Sequence, residues 1–245
     1  MKKLSFIVLV FISACTSEPE TNLLSESAYL QSAERHIYEI RNIPHATTQL
    51  HKALSIHNSA DAAALLAQLK IAQTQLTDRD ESWREEVTTL VSPFKKTNAQ
   101  AAYLYALVQQ KQPNQTQVLN NFLNAAALKS AAAMLYVGSI YHHDFDDPKT
   151  AYDFTLRALK HGCPAALGFL KAYQNRFISK EELIELTLFA AIEGSVSARW
   201  DMSLYLDAIN PVEALYWERQ ADKAHKERIR RSKLPLYDLN AVCMN

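Results

Sequence analysis

The chain has 245 residues, with 26 Lys and Arg set against 26 Asp and Glu, 48% hydrophobic residues and only four glycines. A formal charge of zero gives no electrostatic footing for nucleic acid or an anionic surface, and glycines this sparse exclude a glycine-rich phosphate loop. The length suits one large domain or two small ones.

At the start, Met1-Lys2-Lys3 is a short positive region before the apolar run Leu4 to Ile12 and the small residues Ser13-Ala14. A spanning helix needs about 20 apolar residues, so this layout reads as an export signal. Ile12-Ser13-Ala14-Cys15 resembles the lipobox of bacterial lipoproteins. The resemblance implies removal of a signal peptide at residues 1–14 and lipidation of Cys15. With Thr16 next rather than Asp, it also implies an outer-membrane position facing the periplasm. A signal cleaved without lipidation, or a buried apolar strand, is the alternative. Loss of Lys2 and Lys3 would leave 24 basic residues against 26 acidic ones, a formal charge of −2. Residues 15–26 are polar and contain proline, as a tether between lipid and body should be.

Residues 27–96 are expected to be helical. Ala28 to Arg41, Ala46 to Ile56 and Asp61 to Thr74 have amphipathic spacing, and Ser82 to Val91 forms a fourth helix that ends near Pro93. This region is either a degenerate tetratricopeptide-like unit continuous with the helices after residue 97 or a separate helical cap. His45, His51 and His57 recur every six residues, which scatters them around a helix rather than gathering them on a metal.

From 97 to 231 the sequence repeats. Gly162 and Gly194 lie 32 residues apart, as do successive members of the sets Tyr141, Tyr173, Tyr205 and Ala126, Ala158, Ala190. Ala101, Ala133, Ala165 and Ser197 keep the same step, so four helix-pair units are expected. In the second unit Ala133, Val137 and Tyr141 share one helix face, and Ala151, Phe154 and Ala158 share another. Ala165-Phe169-Tyr173 with Leu183-Leu186-Ala190, and Ser197 to Tyr205 with Ala214-Trp217-Ala221, continue the pattern.

The one dense group of possible ligands is Tyr-His-His-Asp-Phe-Asp-Asp-Pro at 141–148. It falls in the inter-helix loop of the second unit, where Asp147-Pro148 matches Asn210-Pro211 of the fourth unit and Ser179 with Glu182 of the third. All three read as helix caps. His142, His143, Asp144 and Asp146 then belong to a solvated loop, since their spacing fits no metal signature.

Ala133, Val137-Gly138, Tyr141, Asp147, Ala151, Phe154, Ala158 and Gly162 resemble one Sel1-like repeat, a relative of the tetratricopeptide repeat. Later units depart from the pattern at Phe169-Leu170 and Asp201-Met202. The resemblance implies an all-α, right-handed α-solenoid of antiparallel helix pairs that binds a protein partner without catalysis, cofactor or metal. It points to a groove near Tyr136, Lys171 and Trp200. Some relatives resemble immunity proteins that shield the envelope from a toxic effector, others resemble scaffolds, and an envelope-acting hydrolase is the rival of another class. Past the fourth unit, Arg228, Arg230 and Arg231 belong to a basic run that either solvates the last helix or contacts an acidic partner or anionic lipid. Cys163 and Cys243 either pair in an oxidising compartment or remain separate thiols. The tail at 232–245 carries Leu234 to Leu239, apolar enough to pack on the last helix pair or in the groove.

Overall fold

The computed structural model describes residues 24–75, 82–231 and Cys243. The signal at 1–14, Cys15 with most of the tether at 15–26, and the tail at 232–245 apart from Cys243 lie outside the described residues. So do the side chains of Arg228, Arg230 and Arg231.

The described chain is a run of α-helices with no strand. In order they are α1 (Glu26–Arg35, continued by a wider turn at His36–Ile40), α2 (Ile43–His57), α3 (Ala60–Gln75), α4 (Trp83–Val91), α5 (Ala99–Val108) and α6 (Gln115–Ala127). Beyond them come α7 (Ala131–His143), α8 (Pro148–Lys160), α9 (Ala166–Leu170), α10 (Lys180–Ile192), α11 (Val196–Leu206) and α12 (Pro211–Arg231). Each helix packs on the next, and α3 also reaches α5. One hydrophobic core runs from Tyr29 to Trp217, so the helices before residue 97 share it with the repeats. The architecture is an α-solenoid of antiparallel helix pairs.

Two local devices build the stack. The side-chain oxygens of Ser59, Asn98, Ser130 and Ser195 each accept the backbone N–H three residues on, at Ala62, Ala101, Ala133 and Ala198. Such a cap is worth about 1 kcal/mol, and each of these alanines is fully buried, close against the neighbouring helix. At the other end, Lys129, Gly162 and Gly194 take φ of 69°, 88° and 105°. The residue after each sends its N–H back to the carbonyl of Ala125, Ala158 or Ala190, at 3.1, 3.0 and 2.9 Å. This left-handed exit reverses the chain from one unit into the next, and glycine adopts it without strain.

These junctions correct the repeat register. Asn98, Ser130, Cys163 and Ser195 are separated by 32, 33 and 32 residues. The buried alanines equivalent to Ala101 and Ala133 are therefore Ala166 and Ala198, not Ala165 and Ser197. The extra residue lies between α7 and α8, where Asp146 takes a φ of 48°. The second half of each unit does not change: sixteen residues separate Asn114 from Ser130, Asp147 from Cys163 and Ser179 from Ser195. A one-residue slip rotates a helix by about 100°, which takes Tyr141, eleventh after Ser130, out of step with Tyr173 and Tyr205, each tenth after its junction. Tyr173 is buried, Tyr141 is partly buried and Tyr205 is exposed. Phe169 likewise faces solvent while Leu167 and Leu170 enter the core. The first helix of the third unit is also shorter than its periodicity suggests, since α9 ends at Leu170 and tightens into a 3-10 turn at Lys171–Tyr173.

The tightest helix contact is at Gly138. A Cβ there would lie 2.7 Å from Thr155 Oγ1 and 3.1 Å from the carbonyl oxygen of Ala151. Thr155 Oγ1 donates to that carbonyl at 2.7 Å, which holds its rotamer and leaves it nowhere to move.

Candidate functional site

The histidine and aspartate group resolves into structural roles. Asp147 Oδ1 accepts from the Thr150 backbone N–H at 3.1 Å, with Pro148 at the first helical position. Hydrogen bonds from Thr150 hold its carboxyl below the usual range. Asn210 caps α12 in the same way, and Ser179 with Glu182 forms a reciprocal capping box on α10. One boundary differs from the expectation: α7 continues through His143, so both histidines occupy its last turn rather than a loop. There His142 Nδ1 lies 3.1 Å from the Tyr173 hydroxyl, and the two histidine rings meet edge to face. Helix-terminal histidines suit the negative end of the helix dipole. Among the described residues, no three His, Cys, Asp or Glu side chains converge where they could hold a metal ion.

Tyr136, Lys171 and Trp200 do not share one face. Counted from the unit junctions at Ser130, Cys163 and Ser195, they stand sixth, eighth and fifth, positions that fan around the helix axis. Tyr136 belongs to an aromatic stack, parallel to Phe122 at 4.9 Å and tilted against Tyr103 at 6.0 Å. Burial raises the phenol of Tyr103 well above its ordinary value, with Tyr136 beside it adding to the effect. Burial raises Tyr136 as well, against a hydrogen bond to Tyr103. Lys171 and Trp200 are brought into one neighbourhood, because Lys171 Nζ pairs at 2.5 Å with Oδ2 of Asp201, the residue after Trp200. That exposed pair links the third unit to the fourth and contributes at most about 1 kcal/mol.

Trp200 belongs to a larger feature. Among the described residues no large hydrophobic side chain between Ile56 and Phe145 is exposed, whereas from Phe145 onward thirteen are. Six of them form pairs one helical turn apart on three successive helices: Leu188 and Ile192 on α10, Trp200 and Leu204 on α11, Val212 and Tyr216 on α12. Leu204 is 75% and Val212 82% exposed, far beyond what a helix needs to bury its own stripe. Ala214, Trp217 and Ala221 fill the buried side of α12, so that helix carries a second apolar stripe outside the core. Apolar surface gathered in this way marks an interaction site. The sequence held the signal, in apolar residues left over once the core stripe of each late helix is assigned.

Cys163 and Cys243 are joined by a disulfide that closes 80 residues of chain and ties the C-terminal end to the junction between the second and third units. The Cys163 side chain is fully buried in the core. No helix among the described residues is long and apolar enough to cross a membrane.

No protein-family model matches the chain, and no curated protein matches it by sequence. Solved structures do. A Sel1 repeat protein from Oxalobacter formigenes superposes with a TM-score of 0.55 at 20% identity, over 82% of this chain and 88% of that one. The immunity protein Pa5087 from Pseudomonas aeruginosa gives 0.57 at 15% identity, over 82% and 80%. A second Pseudomonas aeruginosa protein, PA5086, gives 0.56 at 16% identity, over 89% and 82%. The chain has the Sel1-like repeat fold.

Proposed function

We propose that this is a protein-binding module whose partner docks on the apolar surface of α10, α11 and α12. The observation that carries the reading is the ten exposed large hydrophobic side chains on those three helices. A solenoid presents side chains along a rigid stack, and apolar surface of this extent is costly unless something covers it. In this reading the export signal and Cys15 lipidation place the module on the membrane, on the outer one with Thr16 following, and the tether at 15–26 lets it face the periplasm. Its work there is adhesion rather than chemistry.

A second and finer reading is that the partner is a toxic effector and the protein confers immunity to it. The observation favouring this is the likeness in fold to an immunity protein over four-fifths of both chains.

Both readings are tested by capture from detergent-solubilised envelopes with the full chain tagged at its C-terminus, beside the double variant Leu204→Asp, Val212→Asp. The expected result is a stoichiometric partner held by the native chain and lost by the variant. Toxicity of that partner when expressed alone, relieved by this protein, establishes the immunity reading. Equal retention by native and variant chains overturns the assignment of the surface.

A further inference from the structure

A second feature lies in the first repeat unit, away from the apolar surface. A cleft of about 470 Å³ opens between α5, α6 and the turn at 92–97. Its volume is in the range of small-ligand sites, roughly 300–1,000 Å³. Lys95, Lys96, Tyr105, Asn121 and Asn124 line it, and Ala102, Ala127 and Leu128 complete the wall.

Three observations make this more than a surface dent. First, the turn that presents the two lysines is held in place: Phe94 is buried, and its carbonyl accepts the N–H groups of both Thr97 and Asn98. Second, Lys95 Nζ sits 3.8 Å from the centre of the Tyr105 ring. Neither Lys95 nor Lys96 pairs with a carboxylate among the described residues. Third, the Asn121 amide nitrogen is buried and has no hydrogen-bond partner. Leaving a buried donor unmet costs about 1–3 kcal/mol. Lysines placed merely to complement the end of α6 would account for the charge but not for that donor.

We propose that this cleft binds the carboxylate of an acidic peptide side chain. Lys95 and Lys96 supply the charge, Asn121 donates to a carboxylate oxygen, and the Tyr105 ring with its apolar neighbours packs the methylene stem. A monoanion fits better than a phosphate dianion, because the C-terminal turn of α6, from Asn124 to Leu128, lines the same cleft with the negative end of its dipole. The proposal stands whether or not α10, α11 and α12 bind a partner.

The test is calorimetric titration of the full chain with four probes: a blocked tetrapeptide Ala-Glu-Glu-Ala, its Gln-Gln counterpart, glutarate and inorganic phosphate. The Glu peptide is expected to bind at least about tenfold more tightly than the Gln peptide, the scale of one charge-assisted contact. The double variant Lys95→Gln, Lys96→Gln should erase that difference. Asn121→Leu should weaken the Glu peptide severalfold while leaving the melting temperature unchanged or raised, a combination that a merely structural asparagine would not give. Equal binding of the Glu and Gln peptides, or no binding of either, overturns the proposal. Glutarate binding as tightly as the Glu peptide overturns the peptide source in favour of free acids, and phosphate binding more tightly overturns the carboxylate.

Discussion

Residues 57–144 and residues 145–231 are built from the same helix pairs and the same caps, yet they finish their surfaces differently. In the first stretch the described large hydrophobic side chains go inward, around the stack of Tyr103, Phe122 and Tyr136. In the second, α10, α11 and α12 each bury one stripe and show another. Folding alone requires the first kind of surface, and the second kind is where the proposed partner would dock.

The sharpest way to test that contrast is to truncate one apolar residue from each side. Phe122→Ala empties a fully buried site and should cost about 3–5 kcal/mol in urea unfolding. Leu204→Ala should change stability by no more than about 0.5 kcal/mol. A comparable loss at Leu204 would mean that the late surface is held against something within the chain.

Glycine gives a second pair. Gly138→Ala drives a methyl group into Thr155 and the Ala151 carbonyl, at a cost of about 1–3 kcal/mol. Gly168→Ala, in α9 with nothing within 4 Å of the new methyl, should be neutral or stabilise by up to about 1 kcal/mol. Melting temperatures of the two variants, read together, report how closely α7 and α8 approach compared with the open face of α9.

The smallest effect is in alkali. Tyr103 and Tyr136 both hold their protons to higher pH when folded, so the unfolded chain loses protons first, near pH 10. Their contribution is therefore intact below that pH and declines as the pH rises beyond it. Tyr136→Phe should flatten the alkaline fall in stability.

Much of the fold was legible because caps and turns are local. Asp147, Ser179 and Asn210 announce helix starts by residue type and spacing, and Gly162 and Gly194 announce the left-handed exits. Register was not legible at the loop between α7 and α8. Tyr141 and Tyr173 keep an interval of 32 by coincidence across junctions 33 apart, because the chain inserts a residue near Asp146, and the equivalents of Ala101 and Ala133 shift to Ala166 and Ala198. The groove residues lie off the buried stripe without sharing one face. Tyr136 is in the aromatic stack, Lys171 is paired with Asp201, and of the three only Trp200 belongs to the exposed apolar set. Lys95 and Asn121 were not legible at all, since nothing in one dimension brings a turn at 92–97 over a helix that begins at Gln115.

The most direct test of the central claim is amide hydrogen exchange on the full chain, alone and with its captured partner. The account predicts that slowed exchange on binding concentrates in α10, α11 and α12, around Ile192, Leu204 and Val212. Slowing confined to residues 57–144, with the late helices unchanged, would contradict it.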